Sequence, residues 1–379
     1  MDLSLTEEQQ AVRQAARDFA RTELLPGVIE RDQTQTFPDE LRRKMADLGF
    51  MGMMTDQAYG GGGMDTISYV LAVEEIARVD ASAAVVMSVN NSLVCWGIEQ
   101  YGSEEQKKVY LSAVATGAYS GAFCLSEPEA GSDATHQHTT AQDCGDYYLL
   151  NGTKNWITNG GTSGIHLVMA QTDPAKKHKG INCLLVERGA AGFTIGKKED
   201  KMGIRGSDTH SLMFQDVRVP KANRLGSEGD GFRIAMETLN GGRIGIAAQA
   251  LGIAAGAFER SLQYARERKA FGKALAEHQA IQFKLASMST QIDAARLLVW
   301  QAAWRKDNGL SFIKEAATAK LFASTIAQEV TREAVQIHGG YGYVREFHVE
   351  RMMRDAKITE IYEGTSEIQH MVIARELLR

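Results

Sequence analysis

The chain has 379 residues, of which 44% are hydrophobic and 23% charged, and its formal net charge is -5. These values are typical of a globular protein with two or three packed regions, and they exclude a disordered or fibrous chain. The sequence contains no long run of lysine and arginine, so nucleic acid is not an expected partner.

Membrane, disulfide and metal sites are all disfavoured by the residue pattern. The first residues, MDLSLTEEQQ, lack the basic and apolar regions of a secretion signal, so we expect a cytoplasmic protein. The longest weakly polar stretch, residues 244–258, is shorter than the roughly 20 residues that cross a bilayer and predicts a buried helix. The four cysteines form no CxxC pair, and His136 and His138 lack a matched carboxylate pattern, which argues against a disulfide framework and a metal site.

Helical patterns dominate the first 120 residues. Thr6 can cap a first helix, and Pro26 follows where that helix should end. Gly-rich segments such as residues 60–63 separate the later helical runs. The predicted helices cover residues 6–25, 38–48, 66–77 and 104–115.

From Tyr147 the pattern changes to short segments rich in β-branched and aliphatic residues. Turn clusters between these segments have the spacing of a β-sandwich or barrel. Strands are therefore predicted at residues 147–150, 165–170, 181–186 and 212–219.

The last part of the chain predicts a helical bundle. No proline follows Pro220, and this part is rich in Ala, Leu, Arg and Glu. The order α, β, α lacks the βαβ alternation of a doubly wound nucleotide-binding fold. The predicted fold class is mainly α with a middle β domain: an N-terminal helical domain (1–120), a middle β-barrel or sandwich domain (121–229) and a C-terminal helical bundle (230–379).

Several common catalytic motifs are incomplete or missing. The segment GYGYV at residues 340–344 is followed by Arg345 where GxGxxG needs its third glycine, and it follows a helical pattern rather than a strand. The phosphate-binding pattern GxxxxGK[ST] does not occur, and GTSG at residues 161–164 lacks the spacing of a nucleophile elbow. Kinases, nucleotide triphosphatases and serine hydrolases are therefore disfavoured.

Three stretches combine residue types that suit a ligand site. Residues 123–133 (FCLSEPEAGSD) place small and hydroxyl-bearing residues at the junction of the helical and β regions, where an ordinary loop is the alternative. Residues 336–342 (QIHGGYG) join an amide side chain to glycines that let backbone N–H groups approach a ligand, although a helix connection would look the same. Residues 361–369 (IYEGTSEIQ) form the third stretch.

Glu363 lies in the third stretch, just before a predicted helix. Ser366 and Gln369 have the spacing of a capping box, so Glu363 would stand outside the helix N-terminus. The helix dipole lowers the pKa of a carboxyl group there, whereas a base acting on a carbon acid benefits from a raised pKa. Desolvation by a bound ligand would have to exceed the dipole effect, and a capping or surface acid is the alternative interpretation.

Taken together, these stretches resemble the acyl-CoA dehydrogenase family, and the resemblance covers essentially the whole chain. The first family signature is similar to residues 124–133 (CLSEPEAGSD), and the second to residues 336–355 (QIHGGYGYVREFHVERMMRD). The resemblance implies a helical N-terminal domain, a middle β domain and a C-terminal four-helix bundle. It also implies FAD bound between the subunits of a homotetramer.

The resemblance assigns most site residues to FAD or to the acyl-CoA substrate. Around the flavin ring it places Phe123, Leu125, Ser126, Gly131, Ser132, Trp156, Ile157 and Thr158, with Ser126 and Thr158 as hydrogen-bonding partners. At the pyrophosphate and adenosine end it places Arg268, Phe271, Gln279, Gln336, Ile337, Gly339, Gly340, Thr365 and Glu367. Toward acyl-CoA it places Ser132, Asn240, Arg243, Tyr362 and Gly364.

By the same resemblance Glu363 is the base that removes the pro-R α-proton, while the β-hydrogen leaves as hydride to flavin N5 and a trans-2-enoyl-CoA forms. The isovaleryl and long-chain branches place their base at the position of Gly242, and the glutaryl branch has its carboxylate-binding arginine at the position of Ala84. Neither residue can serve those roles here. Runs such as GKKEDKMGIRGS are most similar to the short-chain, or butyryl-CoA, branch.

Three residues qualify this assignment. Trp96 lies on a helix that helps close the acyl pocket in the family, so it is a candidate for limiting the pocket depth, although a core role is the alternative. Asn240 replaces an aspartate and brings no charge, and His136 replaces a small residue, which puts the local loop packing in question.

Electron-transferring flavoprotein is the redox partner that the family implies. An acyl-CoA oxidase that uses dioxygen and a short branched-chain acyl-CoA dehydrogenase are the alternatives within the enzyme class. A non-catalytic acyl-CoA or flavin binding module would be expected if the base had been lost, but Glu363 is present.

Overall fold

The computed structural model describes residues 4–379. At its start the hydroxyl of Thr6 accepts from the Gln9 backbone N–H while the Gln9 side chain accepts from the Thr6 backbone, which forms a capping box. Helix α1 (Glu7–Phe19) begins there and continues as a π-helical turn, Ala20–Leu24. The first predicted helix is therefore confirmed.

Seven further α-helices follow within the N-terminal region as the structure describes it. They are α2 (Val28–Thr34), α3 (Asp39–Asp47), α4 (Thr66–Ala77), α5 (Ala81–Ser88), α6 (Trp96–Tyr101), α7 (Glu104–Gln106) and α8 (Ser112–Ala115). Helices α3 and α4 match their predictions, and a π-helical turn, Lys107–Leu111, joins α7 to α8 over the last predicted segment. The sequence does not predict α2 or α5.

Helix α5 is not predicted from the sequence because it has no polar face. Every one of its residues is buried, so the apolar and polar alternation that marks a surface helix does not appear. A π-helical turn, Val89–Cys95, joins α5 to α6. The segment Ala81–Tyr101 is long and apolar enough to cross a membrane, but 94% of its apolar window is buried inside the protein.

The middle region forms a mixed sheet. Its strands are β1 (Gly121–Cys124), β2 (Thr140–Asp143), β3 (Tyr147–Thr158), β4 (Ile165–Gln171), β5 (Ile181–Glu187), β6 (Phe193–Lys198), β7 (Thr209–Pro220) and β8 (Arg224–Leu225). The four predicted strands are present, and β3 is much longer than predicted. The sequence does not predict β1, β2 or β6.

The sheet runs in the order β6, β7, β3, β2, β4, β5, β8, and β1 pairs in parallel with β4. Side chains from strands far apart in this order, including Leu150, Val186 and Phe214, share an apolar cluster that is separate from the main core. The sheet therefore folds over on itself around its own core, as a sandwich or barrel does.

The C-terminal region is helical, as predicted. Its helices are α9 (Gly231–Glu267), α10 (Gln279–Asp307), α11 (Ile313–His338), α12 (Val349–Lys357) and α13 (Ser366–Leu377), and a short hairpin, β9 (Lys269–Ala270) with β10 (Lys273–Ala274), connects α9 to α10. Helices α9, α10 and α11 pack on one another, and α13 packs on α11. Most of residues 244–258 are buried within α9, which confirms the expected buried helix.

Buried polar contacts join the three regions beside α12. The Asp355 carboxylate accepts from the backbone N–H of Ile204 at 2.5 Å and from Arg351 at 2.7 Å. Arg351 also donates to the carbonyl of Val79 at 2.8 Å. Together with α4, which packs on α9 and α10, these contacts attach the N-terminal and β regions to the C-terminal helices.

Candidate active site

Glu363 lies on a short segment between a 3₁₀ turn, Ile358–Glu360, and α13. Its φ angle of 52° is in the left-handed region, which is uncommon for a residue other than glycine. The cap of α13 is Thr365, whose hydroxyl accepts from the Ile368 backbone N–H at 3.4 Å. The predicted cap at Ser366 is therefore wrong by one residue, and the Ser366 hydroxyl donates to the Glu360 carbonyl instead.

The backbone around Glu363 is held by two side chains. Gln369 donates to the carbonyl of Gly364 at 2.7 Å and to that of Glu363 at 3.3 Å, rather than closing the predicted capping box. The ammonium of Lys320, on α11, donates to the same Gly364 carbonyl at 2.7 Å. Lys320 is fully buried. No local motif indicates Lys320 in the sequence, and its one signal there is a lysine within the otherwise weakly polar run AATAKLFA.

The Glu363 carboxylate lies against Gly242 on α9. A Cβ added to Gly242 would overlap Oε2 of Glu363 and stand 2.8 Å from Cδ2 of Leu93. Among the described residues Oε2 has no hydrogen-bond partner, and the atom is buried. The absence of a side chain at Gly242 therefore creates the space that the carboxylate occupies.

Burial raises the pKa of Glu363 to about 7, while the charges of Lys320 and Arg243 act in the opposite direction. From the sequence alone, a bound ligand is expected to desolvate this carboxyl group. The protein itself provides that desolvation, because a charged carboxylate is disfavoured where water is excluded.

Two further polar contacts lie along α9. The Arg243 guanidinium is buried and donates to Oδ1 of Asn240 at 2.5 Å, whereas its Nε has no partner within residues 4–379. Burial lowers the pKa of Arg243 to about 10, and the charge of Glu363 opposes this effect. The Tyr362 hydroxyl donates to the side-chain carbonyl of Gln249, and the side-chain N–H of Gln249 donates to the main-chain carbonyl of Ala81 in α5. No sequence motif indicates Gln249.

The predicted flavin-ring residues form a second group, in the β region. The loop after β1 is joined to β3 by a hydrogen bond from the Asn155 N–H to the Ser126 carbonyl at 2.9 Å. Next to it Trp156 has a φ of 62°, and 62% of its surface is exposed. Of the rest, Leu125 and Ile157 are buried, Phe123, Ser126 and Thr158 are half-buried, and Gly131 and Ser132 are exposed.

A buried ion pair supports this loop. The Lys154 ammonium lies 2.7 Å from Oε1 of Glu127, and the backbone N–H groups of His138 and Thr139 donate to the same carboxylate. Burial alone would raise the pKa of Glu127, but Lys154 and these donors hold it below its usual range. Glu127 is thus an ionised structural acid with its oxygens already engaged.

The π-helical turn Val89–Cys95 connects the two groups. Leu93 contacts the site at Gly242, and Val94 packs directly against Gly121 at the start of β1. The side-chain carbonyl of Asn90 also accepts from the Gly121 N–H at 3.0 Å. Glu363 and the loop after β1 therefore lie on either side of one helical turn.

The residues predicted to bind the pyrophosphate and adenosine lie mainly elsewhere. Arg268, Ile337, Gly339 and Gly340 line an open groove of about 1070 Å³, where the Arg268 guanidinium lies over the Tyr341 ring. Phe271, at the hairpin between α9 and α10, is 97% exposed, and Gln279, Gln336 and Glu367 are also exposed. Within residues 4–379, no residue predicted to contact the flavin ring lines this groove.

Metal binding finds no support in the described part of the chain, where no group of three or more His, Cys, Asp or Glu side chains could hold an ion. The exposed His136 pairs with Asp133 on the loop surface. The His136 side chain therefore lies outside the buried part of the loop.

Three family models match the chain: the N-terminal domain of acyl-CoA dehydrogenase over residues 6–118, the middle domain over 122–217 and the C-terminal domain over 229–378. The chain belongs to the acyl-CoA dehydrogenase family. It is 49% identical to the short-chain specific acyl-CoA dehydrogenase of Clostridium acetobutylicum, with both chains fully covered. It is 51% identical to the human mitochondrial short-chain specific enzyme, over 100% of this chain and 92% of that protein.

Solved structures agree with this assignment. Butyryl-CoA dehydrogenase from Megasphaera elsdenii superposes with a TM-score of 0.98 at 51% identity, with both chains fully covered. A chain in the structure described as the electron transferring flavoprotein of Acidaminococcus fermentans superposes with a TM-score of 0.99 at 50% identity, again with full coverage of both. PigA with FAD and proline superposes with a TM-score of 0.96 at 28% identity, over 100% of this chain and 99% of that one.

Proposed function

We propose that this chain is a short-chain acyl-CoA dehydrogenase that converts butyryl-CoA-like thioesters to trans-2-enoyl-CoA with FAD as its cofactor. The observation that carries the proposal is Oε2 of the Glu363 carboxylate, which is buried beside Gly242 and has no hydrogen-bond partner among the described residues. A buried carboxylate oxygen that no donor occupies is available to take a proton.

Glu363 takes the α-proton of the thioester onto its carboxylate. A general base is most effective when its pKa lies near the working pH, and burial raises the pKa of Glu363 to about 7. Gly242 and Leu93 exclude water from one side of the carboxylate. The left-handed backbone at Glu363 then sets the direction in which the side chain reaches.

The acyl-CoA contacts proposed for this chain are Ser132, Asn240, Arg243, Tyr362 and Gly364. Two of them meet in the hydrogen bond between Arg243 and Asn240, and the free Nε of Arg243 is an unused donor within residues 4–379. The Asn240 side chain accepts this bond without bringing a charge. Anchoring the thioester in this way holds its α-carbon near Glu363.

The residues proposed to hold FAD fit such a group in two ways. Trp156 is a large, exposed aromatic side chain held in a strained backbone conformation, which suits a face for a flat ring. Gly339 and Gly340 have open space where a Cβ would stand, so a phosphate could approach their backbone. FAD, when bound, accepts the β-hydrogen with its electron pair.

The separation of the two groups of residues proposed for FAD supports an assembly of more than one subunit, which we propose is a homotetramer. The groove around Arg268 and Gly340 contains none of the described side chains proposed for the flavin ring, so one FAD is completed by two subunits. The exposed Phe271 beside this groove would be covered in such an assembly. We further propose that electrons pass to an electron-transferring flavoprotein and that the enzyme acts in the cytoplasm.

Cofactor and assembly are tested on the purified protein. We expect about one FAD per chain and a tetramer on sedimentation. FMN in place of FAD, no flavin after reconstitution, or a stable flavin-loaded monomer would contradict these parts of the proposal.

Substrate preference is tested with acyl-CoAs from C4 to C16, an α-methyl branched acyl-CoA and an artificial electron acceptor. We expect the highest kcat/KM with butyryl-CoA or hexanoyl-CoA and a graded decline beyond, because one methylene contributes only about 1 kcal/mol in an apolar pocket. Fastest turnover at C12 or longer would reject the short-chain assignment, and a preference for the branched thioester would favour the branched-chain alternative.

The acyl-CoA oxidase alternative is tested by the reaction with dioxygen. After reduction with butyryl-CoA, the flavin of a dehydrogenase should be reoxidised slowly in air and quickly by electron-transferring flavoprotein in stopped flow. Rapid reoxidation by dioxygen during turnover would identify an oxidase.

A further inference from the structure

Lys320 is a buried cation without an acidic partner at contact distance. It lies on α11 among the buried residues Ala316, Ala319 and Ala323, and its own surface is fully buried. Its ammonium donates to the carbonyl of Gly364 at 2.7 Å, and within residues 4–379 it forms no salt bridge with a carboxylate. A charge in such a place is costly, so a helix core rarely contains one without a purpose.

The contact of Lys320 is with the turn that carries Glu363. Gly364 accepts two hydrogen bonds on one carbonyl oxygen, from Lys320 and from Gln369, each at 2.7 Å. Glu363 and Gly364 both have positive φ angles, of 52° and 97°. A left-handed conformation at a glutamate persists only where its surroundings hold it, and these two donors provide that support.

The charges around Lys320 give it a second effect. The charged groups that act on it from neighbouring elements are Glu363, Arg243 on α9, Glu360 on the 3₁₀ turn and Glu367 on α13, with Glu363 the strongest of them. Burial lowers the pKa of Lys320 to about 8, so the ammonium is still mostly charged at neutral pH. A cation on this side of Glu363 favours its ionised form, which is the form that can accept a proton.

We propose that Lys320 is a positioning residue for the base: its ammonium fixes the Gly364 carbonyl, which holds Glu363 toward Gly242, and its charge favours the ionised form of the Glu363 carboxyl group. This inference rests on the proposed function, in which Glu363 accepts the α-proton. Lys320 itself touches neither the carboxylate nor the substrate path in this account.

The test uses the holoenzyme and three variants. Lys320→Met removes the charge and the donor, Lys320→Gln removes the charge and keeps a donor, and Lys320→Arg keeps the charge. Lys314→Met is the matched control, because Lys314 lies on the same helix and is only half-buried. The rate of flavin reduction by butyryl-CoA is measured from pH 5.5 to 9.

For Lys320→Met and Lys320→Gln we expect the acid limb of the rate profile to move up by about one pH unit, because an opposite charge that favours the carboxylate has been removed. The rate at pH 6 then falls about tenfold in both variants. At pH 9 Lys320→Gln, which keeps a donor to the Gly364 carbonyl, should change little, whereas Lys320→Met should stay slower than wild type because that donor is lost. In Lys320→Arg and Lys314→Met the acid limb of the rate profile should stay at the same pH as in wild type. A uniform loss of rate with an unmoved limb would overturn the charge effect and leave Lys320 a structural residue.

A second readout does not depend on turnover. The pH dependence of the difference in thermal stability between each background and its Glu363→Gln derivative reports the pKa of Glu363. We expect that pKa to be higher in the Lys320→Met and Lys320→Gln backgrounds than in wild type, and an unchanged pKa would refute the proposal. If wild type failed to oxidise any acyl-CoA, the proposed function would fail while this measurement still decided the part played by Lys320.

Discussion

Gly242 and Glu363 compete for one volume. A Cβ added to Gly242 would overlap Oε2 of Glu363 and stand 3.0 Å from its Cδ. A side chain at position 242 and a carboxylate from position 363 therefore exclude each other. The two positions at which family members were expected to carry the base converge on the same space in this protein.

Glu363→Gln should abolish most catalysis without removing the cofactor. The amide retains the size of the side chain but cannot accept the α-proton, so we expect flavin reduction by butyryl-CoA to slow by at least about 10³-fold. Stopped-flow absorbance measures the rate, and FAD content should be unchanged. Glu360→Gln, the same change three residues earlier on an acid paired with Lys357, is the control and should stay close to wild type. A Glu363→Gln rate within about tenfold of wild type would mean that another acid is the base.

Moving the base to position 242 requires that position 363 be vacated. In the double variant Gly242→Glu with Glu363→Gln, the glutamate at position 242 overlaps the amide at position 363, just as it would overlap the wild-type carboxylate. Little activity should therefore return. Gly242→Glu with Glu363→Gly removes that obstacle, and glycine adopts the φ of 52° at position 363 without strain. We expect this second pair to reduce its flavin measurably faster than the first. Equal rates for the two pairs would show that the overlap is not the limiting factor.

The pH dependence of flavin reduction should follow the ionisation of Glu363. Only the carboxylate accepts a proton, and burial raises its pKa to about 7. At low butyryl-CoA concentration the rate should fall about tenfold per pH unit below 7 and level off above it. Rates that stay flat between pH 5.5 and 8.5 would contradict the raised pKa.

The same shift has a consequence for stability. The carboxyl group of Glu363 ionises near pH 4 in the unfolded chain and near pH 7 in the folded one, so the folded state binds the proton more tightly. The contribution of this group to the free energy of unfolding is therefore favourable below about pH 4 and is lost as the pH rises to 7. Glu363→Gln should therefore melt at a higher temperature than wild type at pH 8, and the two should converge at acid pH. Scanning calorimetry over this range decides the point.

The buried pair of Lys154 and Glu127 should stabilise the loop after β1. Lys154→Met leaves the Glu127 carboxylate buried with backbone donors alone, and breaking such a pair typically costs about 3–5 kcal/mol. We expect a lower melting temperature and weaker retention of FAD in a gel-filtration assay. Adding Glu127→Gln removes the orphaned charge and should recover part of the loss, whereas a further loss would argue against the ion-pair explanation.

The sequence predicts an element wherever a cap and a periodic apolar face occur together. Asp65 accepts from the Ser68 N–H at the start of α4, and this helix begins and ends at the predicted residues. Helix α5 has a cap at Asp80 but no polar face, since all of its residues are buried, and β6 is short and only partly buried. Elements that are buried on every side, or barely buried at all, lack the alternation that sequence patterns depend on.

Some residues of the candidate site could be predicted from the sequence and others could not. Glu363 and the loop after β1 lie in dense local stretches, so motif resemblance finds them. Lys320 and Gln249 act on residues more than forty positions away in the chain, and no local pattern encodes such a contact. The raised pKa of Glu363 depends on which atoms exclude water from it, and only the folded arrangement with Gly242 determines that.

The contacts of Asp355 with Ile204 and Arg351 have a kinetic implication. The Ile204 N–H donates to the buried Asp355 carboxylate at 2.5 Å, and Arg351 on the same helix holds that carboxylate at 2.7 Å, so the position of the β region against the C-terminal helices is set when the chain folds. An incoming thioester should then meet two regions whose relative position is already fixed, rather than two halves that must close on it. Association should accordingly be limited by how the ligand enters the site and not by a domain closure, and discrimination between acyl chains should depend on the side chains that contact the thioester.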